Sequence, residues 1–124
     1  MNLEKIMEVD EYFRGQELSK GLFEALARLI DKIGPAQMLV TRSQISFRRH
    51  KSFAWVWMPS RYLRGKVAPL VLTLVFPYRE KSPRWKEIVE PSPGHFTHHL
   101  EIYSINDIDD QVCEWLREAW ANSA

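Results

Sequence analysis

Three histidines fall within five positions of the stretch HFTHHLEIY, residues 95–103: His95, His98 and His99, with Glu101 two residues further on. Imidazole is a common metal ligand and the side chain best suited to moving protons near neutral pH. Two chemistries are therefore open to the segment. His95, His99 and Glu101 could ligate a metal, or His98 or His99 could act as an acid–base with Glu101, Glu87 or Glu90. The stretch reads as a strand, and alternation along a strand sorts its side chains. Phe96, His98, Leu100 and Ile102 share the apolar face, which makes His98 a buried polar residue hydrogen-bonded to backbone or to a carboxylate. His95, Thr97, His99, Glu101 and Tyr103 share the other face, where neighbours two apart stand about 7 Å from each other. This spacing matches no established ligand pattern, such as two histidines one helical turn apart, and the single Cys113 supplies neither a disulfide nor a cysteine-rich zinc site. No metal is expected. No glycine-rich phosphate loop, nucleophile elbow or zincin motif is present, so no cofactor is implied and an enzyme is the reading with least support.

The elements that must position these residues follow from periodicity. Residues 3–13 carry Leu3, Ile6, Met7 and Tyr12 or Phe13 as the apolar stripe of a short helix that stops before Gly15. From Glu17 to Ile33 the positions Leu18, Leu22, Ala25, Leu26, Leu29 and Ile33 repeat with helical spacing, and Gly34-Pro35 ends the run. The period then changes. QMLVT, QISF, SFAWVWM and PLVLTLVF are strands separated by short polar segments, with RRHK (residues 48–51) as a hairpin connection and SRYLRGK as a longer loop. The segment PYREKSPRWKEIVEPSPG holds four prolines and reads as an irregular connector with one helical turn around residues 85–88. After the HFTHHLEIY strand, NDIDDQVCEWLREAW closes the chain as a helix capped at Asn106 or Asp107, with Ile108, Val112, Trp115, Leu116 and Ala119 inward. The expectation is one α+β domain over residues 1–124: an antiparallel sheet of four to five strands packed by an N-terminal and a C-terminal helix.

Composition bounds the class. Of the 124 residues, 45% are hydrophobic and 12% aromatic, enough for a packed core. No run approaches the ~20 apolar residues that span a bilayer, and the acidic amphipathic start lacks the form of a signal peptide. The expected setting is the cytoplasm, with no membrane partner. The net charge of +1 conceals an uneven distribution, since residues 32–79 carry nine basic residues and no acid, while both flanks are acidic. Such blocks imply either a polarised surface or basic strands neutralised by acidic helices. The strand SFAWVWM places Phe53, Trp55 and Trp57 on one face, and two helices need not cover both sides of the sheet. An uncovered aromatic face flanked by basic loops would suit base stacking, a ligand pocket or a homodimer interface. Alternatively, the N-terminal helix and the proline-rich connector fold over it.

The stretches SQISFRR, FAWVW and EPSPGHFTHH, with YFRG, IDKIGP and NDIDDQVCEWLREAW around them, resemble a bacterial family of small cytoplasmic proteins catalogued as a domain of unknown function. The resemblance spans nearly the whole chain. It implies a compact α+β domain and brings no activity, cofactor or catalytic residue. Two binding readings remain ahead of the enzyme. In the first, Arg42, Arg48, Arg49, Lys51, Arg61, Arg64 and Lys66 contact the phosphates of nucleic acid or another polyanion while Trp55 or Trp57 stacks on a base. A pI near 7.9 lies below the range of dedicated nucleic-acid domains and weighs against it. In the second, an aromatic and arginine pocket, with His95 and His99 on its face, takes an anionic small molecule or a protein partner.

Overall fold

Apolar residues at helical spacing and strands of alternating side chains are both realised, with boundaries set by hydrogen bonds that no local pattern displays. The computed structural model describes residues 6–124. Helices α1 (Val9–Tyr12) and α2 (Glu17–Ile33) precede the strands β1 (Gln37–Val40), β2 (Ile45–Arg48), β3 (Ser52–Trp57), β4 (Leu70–Phe76), β5 (Glu87–Ser92) and β6 (His95–Ile102), and α3 (Asp110–Ala121) follows. The strands form one antiparallel sheet in the order β1-β2-β3-β4-β6-β5. The fold is α+β as read, with six strands in place of four or five. Among the described residues, no helix is long and apolar enough to cross a membrane.

The helix expected over residues 3–13 is shorter, and Leu3 lies outside the described residues. Ile6 instead forms an antiparallel bridge with Thr41, and the Met7 N–H donates to the Val40 carbonyl at 2.9 Å. Pairing with the edge of β1 satisfies backbone groups that a helical turn would otherwise use, so the helix begins only at Val9. In α2, Leu22, Phe23, Leu26 and Ile30 are buried, whereas Leu18 is 63% exposed. The neighbouring Ser19 turns inward instead and donates its hydroxyl to the Pro69 carbonyl at 2.7 Å. The last helix also starts later than expected. Residues 105–107 form a short 3-10 turn closed by a capping box between Ser104 and Asp107, and Asp109 then caps α3 by accepting from the Val112 N–H.

The fourth connection departs furthest from the sequence reading. Residues 87–92 are the edge strand β5 and not part of an irregular connector with a helical turn: Glu87 stands opposite His99, Ile88 opposite His98 and Val89 opposite Thr97. Pro91 and two glutamates disguise this strand, and an edge tolerates both because its outer backbone groups need no partner in the sheet. Gly94, at φ +74°, makes the tight turn into β6.

Helices α2 and α3 touch each other and both reach β4, so they cover one face of the sheet. Beneath them lie Ile45, Phe47, Ala54, Val56, Leu72, Leu74, Phe76, Leu100 and Ile102, all buried, against Leu22, Leu26, Ile30, Val112, Trp115 and Leu116. A bulge where Phe47 pairs with Ala54 and Arg48 with Ser52 leaves Phe53 as the extra residue, buried with the core cluster. The opposite face is therefore left to Trp55 and Trp57.

The end of α2 approaches α3 through Gly34. A Cβ at this position would lie 2.4 Å from the Trp120 ring, which donates its indole N–H to the Pro35 carbonyl at 3.0 Å and carries the Arg49 guanidinium 3.7 Å above it. The ring is held on two sides and cannot yield cheaply. Gly34→Ala is expected to destabilise the fold by about 1–3 kcal/mol through overpacking. Urea unfolding checks this, and the penalty should largely vanish when the same change is made in a Trp120→Ala background.

Candidate functional site

The face opposite the helices carries a groove of about 390 Å³. Its walls are Trp55 and Trp57 from β3, Thr73 and Val75 from β4, and His95, Thr97 and His99 from β6, with Ser43, Gln44 and Tyr62 at one end. Antiparallel register builds it. Trp55 stands opposite Thr73, and Thr73 opposite His99, so the three lie side by side across β3, β4 and β6. Tyr62 comes from the β3–β4 loop; its ring meets Trp57 edge-on at 6.0 Å, and its hydroxyl donates to the Ser43 carbonyl at 2.8 Å. The loop thus closes one end of the groove, while the proline-rich connector packs on the helix side, where Trp85 lies against Trp115 at 4.3 Å between ring centres.

A hydrogen-bond chain runs through the floor. The Trp57 indole N–H donates to the Thr73 hydroxyl oxygen at 2.9 Å, and that oxygen lies 2.7 Å from His99 Nδ1. Burial holds the His99 imidazole below its ordinary range, against the opposing effect of the Glu87 carboxylate. His99 is therefore neutral at pH 7, and its ring meets that of Trp57 edge-on at 5.9 Å.

Four of the residues singled out in the sequence, Trp55, Trp57, His95 and His99, come together in this groove. The basic residues divide. Arg48, Arg49 and Lys51 lie at the hairpin between β2 and β3, whereas Arg42, Arg61, Arg64 and Lys66 lie at the other end of the same strands. Three of the seven make side-chain hydrogen bonds within the protein, and Arg48 does so locally, to the His50 carbonyl at 3.1 Å. Arg49 stacks on Trp120 and donates to the Trp120 carbonyl in the last turn of α3, while the His50 and Lys51 backbone N–H groups both donate to the Ser123 carbonyl. The hairpin clasps a helix C-terminus, where positive charge is favoured. Arg61 lies over the Tyr12 ring at 4.5 Å and donates to the Tyr12 and Arg42 carbonyls. Arg42, Arg64 and Lys66 are exposed on the loops that carry Ser43 and Tyr62 and are not part of the groove lining.

Among the described residues, no three His, Cys, Asp or Glu side chains gather as metal ligands. Sequence reasoning missed Thr73, Tyr62, Thr97, Ser43 and Gln44. One signal was available for Thr73, the lone polar residue within the strand LVLTLVF.

The family model for a domain of unknown function, DUF5655, matches residues 9–123. The chain belongs to this family. No curated protein and no solved structure matches it.

In this family member, His98 has no exposure at all and takes no part in the groove. Its Nε2 accepts from the Glu80 backbone N–H at 3.0 Å, so Nδ1, 3.0 Å from the Phe96 carbonyl, carries the proton and donates there. Glu80 in turn accepts from the Ser82 N–H and the Trp85 indole, which folds the connector onto the core. Phe76 and Trp85 flank the imidazole edge-on, each at 4.9 Å. Burial pushes the His98 pKa down; the Phe96 carbonyl and Glu80 oppose this, while Arg79 and His99 add to it. A second proton would set Nε2–H against the Glu80 N–H. Because the folded pKa is depressed, the unfolded chain binds more protons, so the contribution of His98 is full above about pH 6.5 and is lost as pH falls towards the folded value. His98→Gln is expected to cost about 1–3 kcal/mol at pH 7.5 and to flatten the stability loss between about pH 7 and 5, leaving the part due to His99. Chemical denaturation across that window checks both, and an NMR titration should give a His98 midpoint below that of an unfolded histidine.

Proposed function

We propose that this domain is a binding module for a small planar ligand seated in the open-face groove, with its ring against the Trp55 and Trp57 indoles and any anionic part towards Arg42, Arg64 and Lys66. The observation that carries this reading is the convergence of two indoles, a phenol and a neutral imidazole in one concavity on the face that no helix covers. The volume falls at the small end of ligand sites, which run to about 1,000 Å³. It suits one fused ring system and not an extended substrate. Aromatic side chains supply large contact area with little conformational entropy to lose, and a groove whose lining includes no Asp, Glu, Lys or Arg side chain does not select a charged ring.

The arrangement favours binding over catalysis. Thr73 and His99 are as close as a nucleophile and its base, but Thr73 is only 5% exposed and its hydroxyl already accepts from Trp57. The pair positions an imidazole and offers no accessible nucleophile. A long polyanion is the weaker reading, because the basic residues separate to two ends of the strands and Arg49 and Arg61 are engaged within the protein.

The test is an NMR titration with adenosine monophosphate as probe. Amide shifts are expected to cluster on β3, β4 and β6 around residues 55, 57, 73 and 99. Trp57→Ala should weaken binding by about 1–3 kcal/mol, the usual worth of one stacked aromatic. Shifts confined to the hairpin at residues 48–51, or affinity indifferent to both Trp55→Ala and Trp57→Ala, would overturn the groove as the site.

A further inference from the structure

The donors and acceptors on the groove floor can be counted, and only one assignment satisfies them all. Indole nitrogen donates and never accepts, so Thr73 Oγ1 accepts from Trp57. The hydroxyl has one proton of its own. If His99 Nδ1 were also protonated, it too would donate to Thr73, and the Thr73 proton, on a residue 5% exposed, would find no acceptor in Trp57 or His99, its side-chain partners among the described residues. If Nδ1 is unprotonated, Thr73 donates to it at 2.7 Å and the chain Trp57 to Thr73 to His99 is complete. Neutral His99 then carries its single proton on Nε2. Among the described residues that nitrogen has no hydrogen-bond partner and no buried side-chain nitrogen or oxygen lacks one, so Nε2 is open to solvent on a ring that lines the groove.

The hydrogen bonds also commit two of the other donors that line the groove. With its N–H committed to Thr73, Trp57 offers a ligand only its face, and the Tyr62 hydroxyl is committed to the Ser43 carbonyl. The imidazole Nε2–H is a donor oriented from behind, beside two stacking surfaces.

We infer that the groove recognises a nucleobase-type ring, a neutral planar heterocycle with a hydrogen-bond acceptor on its edge, through stacking on the tryptophans and donation from His99 Nε2–H. The inference rests on the groove being the binding site, and it names the ligand class. Thr73 acts as a positioning residue that sets the tautomer. The shared chemistry is the base, whether it arrives as a free nucleotide or within a single strand.

The experiment compares adenine, whose ring nitrogens accept, with indole, which has a similar ring area and no acceptor. Wild type is expected to bind adenine about five- to tenfold more tightly than indole, the worth of one neutral hydrogen bond. His99→Phe, which keeps an aromatic ring and removes the donor, should abolish the difference while retaining indole binding. His99→Gln, which returns an N–H near the place of Nε2, should restore part of it and serves where the phenylalanine variant does not fold. Thr73→Val should reduce adenine preference without removing stacking, and nitrogen-15 NMR of the imidazole should show Nε2–H in wild type and a mixed tautomer in this variant. Equal binding of adenine and indole by wild type, or a preference unchanged in His99→Phe, overturns the acceptor recognition and leaves the stacking groove standing. Binding of neither probe overturns the groove itself. Adenosine monophosphate and a ten-nucleotide adenylate strand then separate the sources: a gain limited to the strand, falling steeply with salt, assigns the base to single-stranded nucleic acid, and equal affinity assigns it to the nucleotide.

Discussion

Seven residue pairs join β4 to β6, from Leu70 opposite Ile102 to Phe76 opposite Phe96, and most of the molecule depends on this one register. It sets Leu72 against Leu100 and Leu74 against His98 on the helix side, and Thr73 against His99 on the other. Side chains alternate strictly along a strand, so a slip of β6 by one residue would move both histidines to the wrong faces and carry Leu100 and Ile102 into solvent. The apolar cost of that exchange, close to 1.5–3 kcal/mol for each large side chain, makes the register hard to shift. Two adjacent histidines consequently have separate tasks. His98 anchors the connector through Glu80, and His99 stands in the groove with Thr73.

Two helices can cover one face of a six-stranded sheet, and the asymmetry that follows explains the groove. The covered face is aliphatic and aromatic except for His98. The other face is half-buried, and its residues combine apolar bulk with one polar atom that must be satisfied, as in Trp57, Thr73, Tyr62 and His99. Their mutual hydrogen bonds meet that demand without closing the surface. Such a network holds the rings in fixed orientations, and rigid aromatic walls lose little entropy when a ligand arrives.

The acid-free interval has a structural use as well. Arg49 at the end of α3 and Arg61 at the end of α1 each stack on an aromatic ring and donate to a backbone carbonyl in the last turn of the helix. Arginine suits this work because its planar group keeps several donors at its edge while its face rests on a ring. A run of positive charge in a sequence is thus partly helix capping at a distance, and the cations left for a ligand are fewer than composition suggests.

Helix α2, the five strands of clear apolar character, the hairpin at residues 48–51 and the parity of the three histidines were all legible in the sequence, because each depends on spacing within a single segment. The edge strand β5 was not, since Pro91 and its glutamates suit an irregular connector equally well and only pairing with β6 reveals the strand. The same limit applied to the site. Trp55, Trp57, His95 and His99 could be assigned to a polar or aromatic face one strand at a time, but Thr73 joins Trp57 to His99 only because β4 lies between β3 and β6, and sequence separations of 16 and 26 residues hide this. Local pattern determined most of the elements and, away from the bulge at Phe53, which way their side chains point. Strand order and register, set by how the apolar faces could be buried together, decided which of those side chains meet.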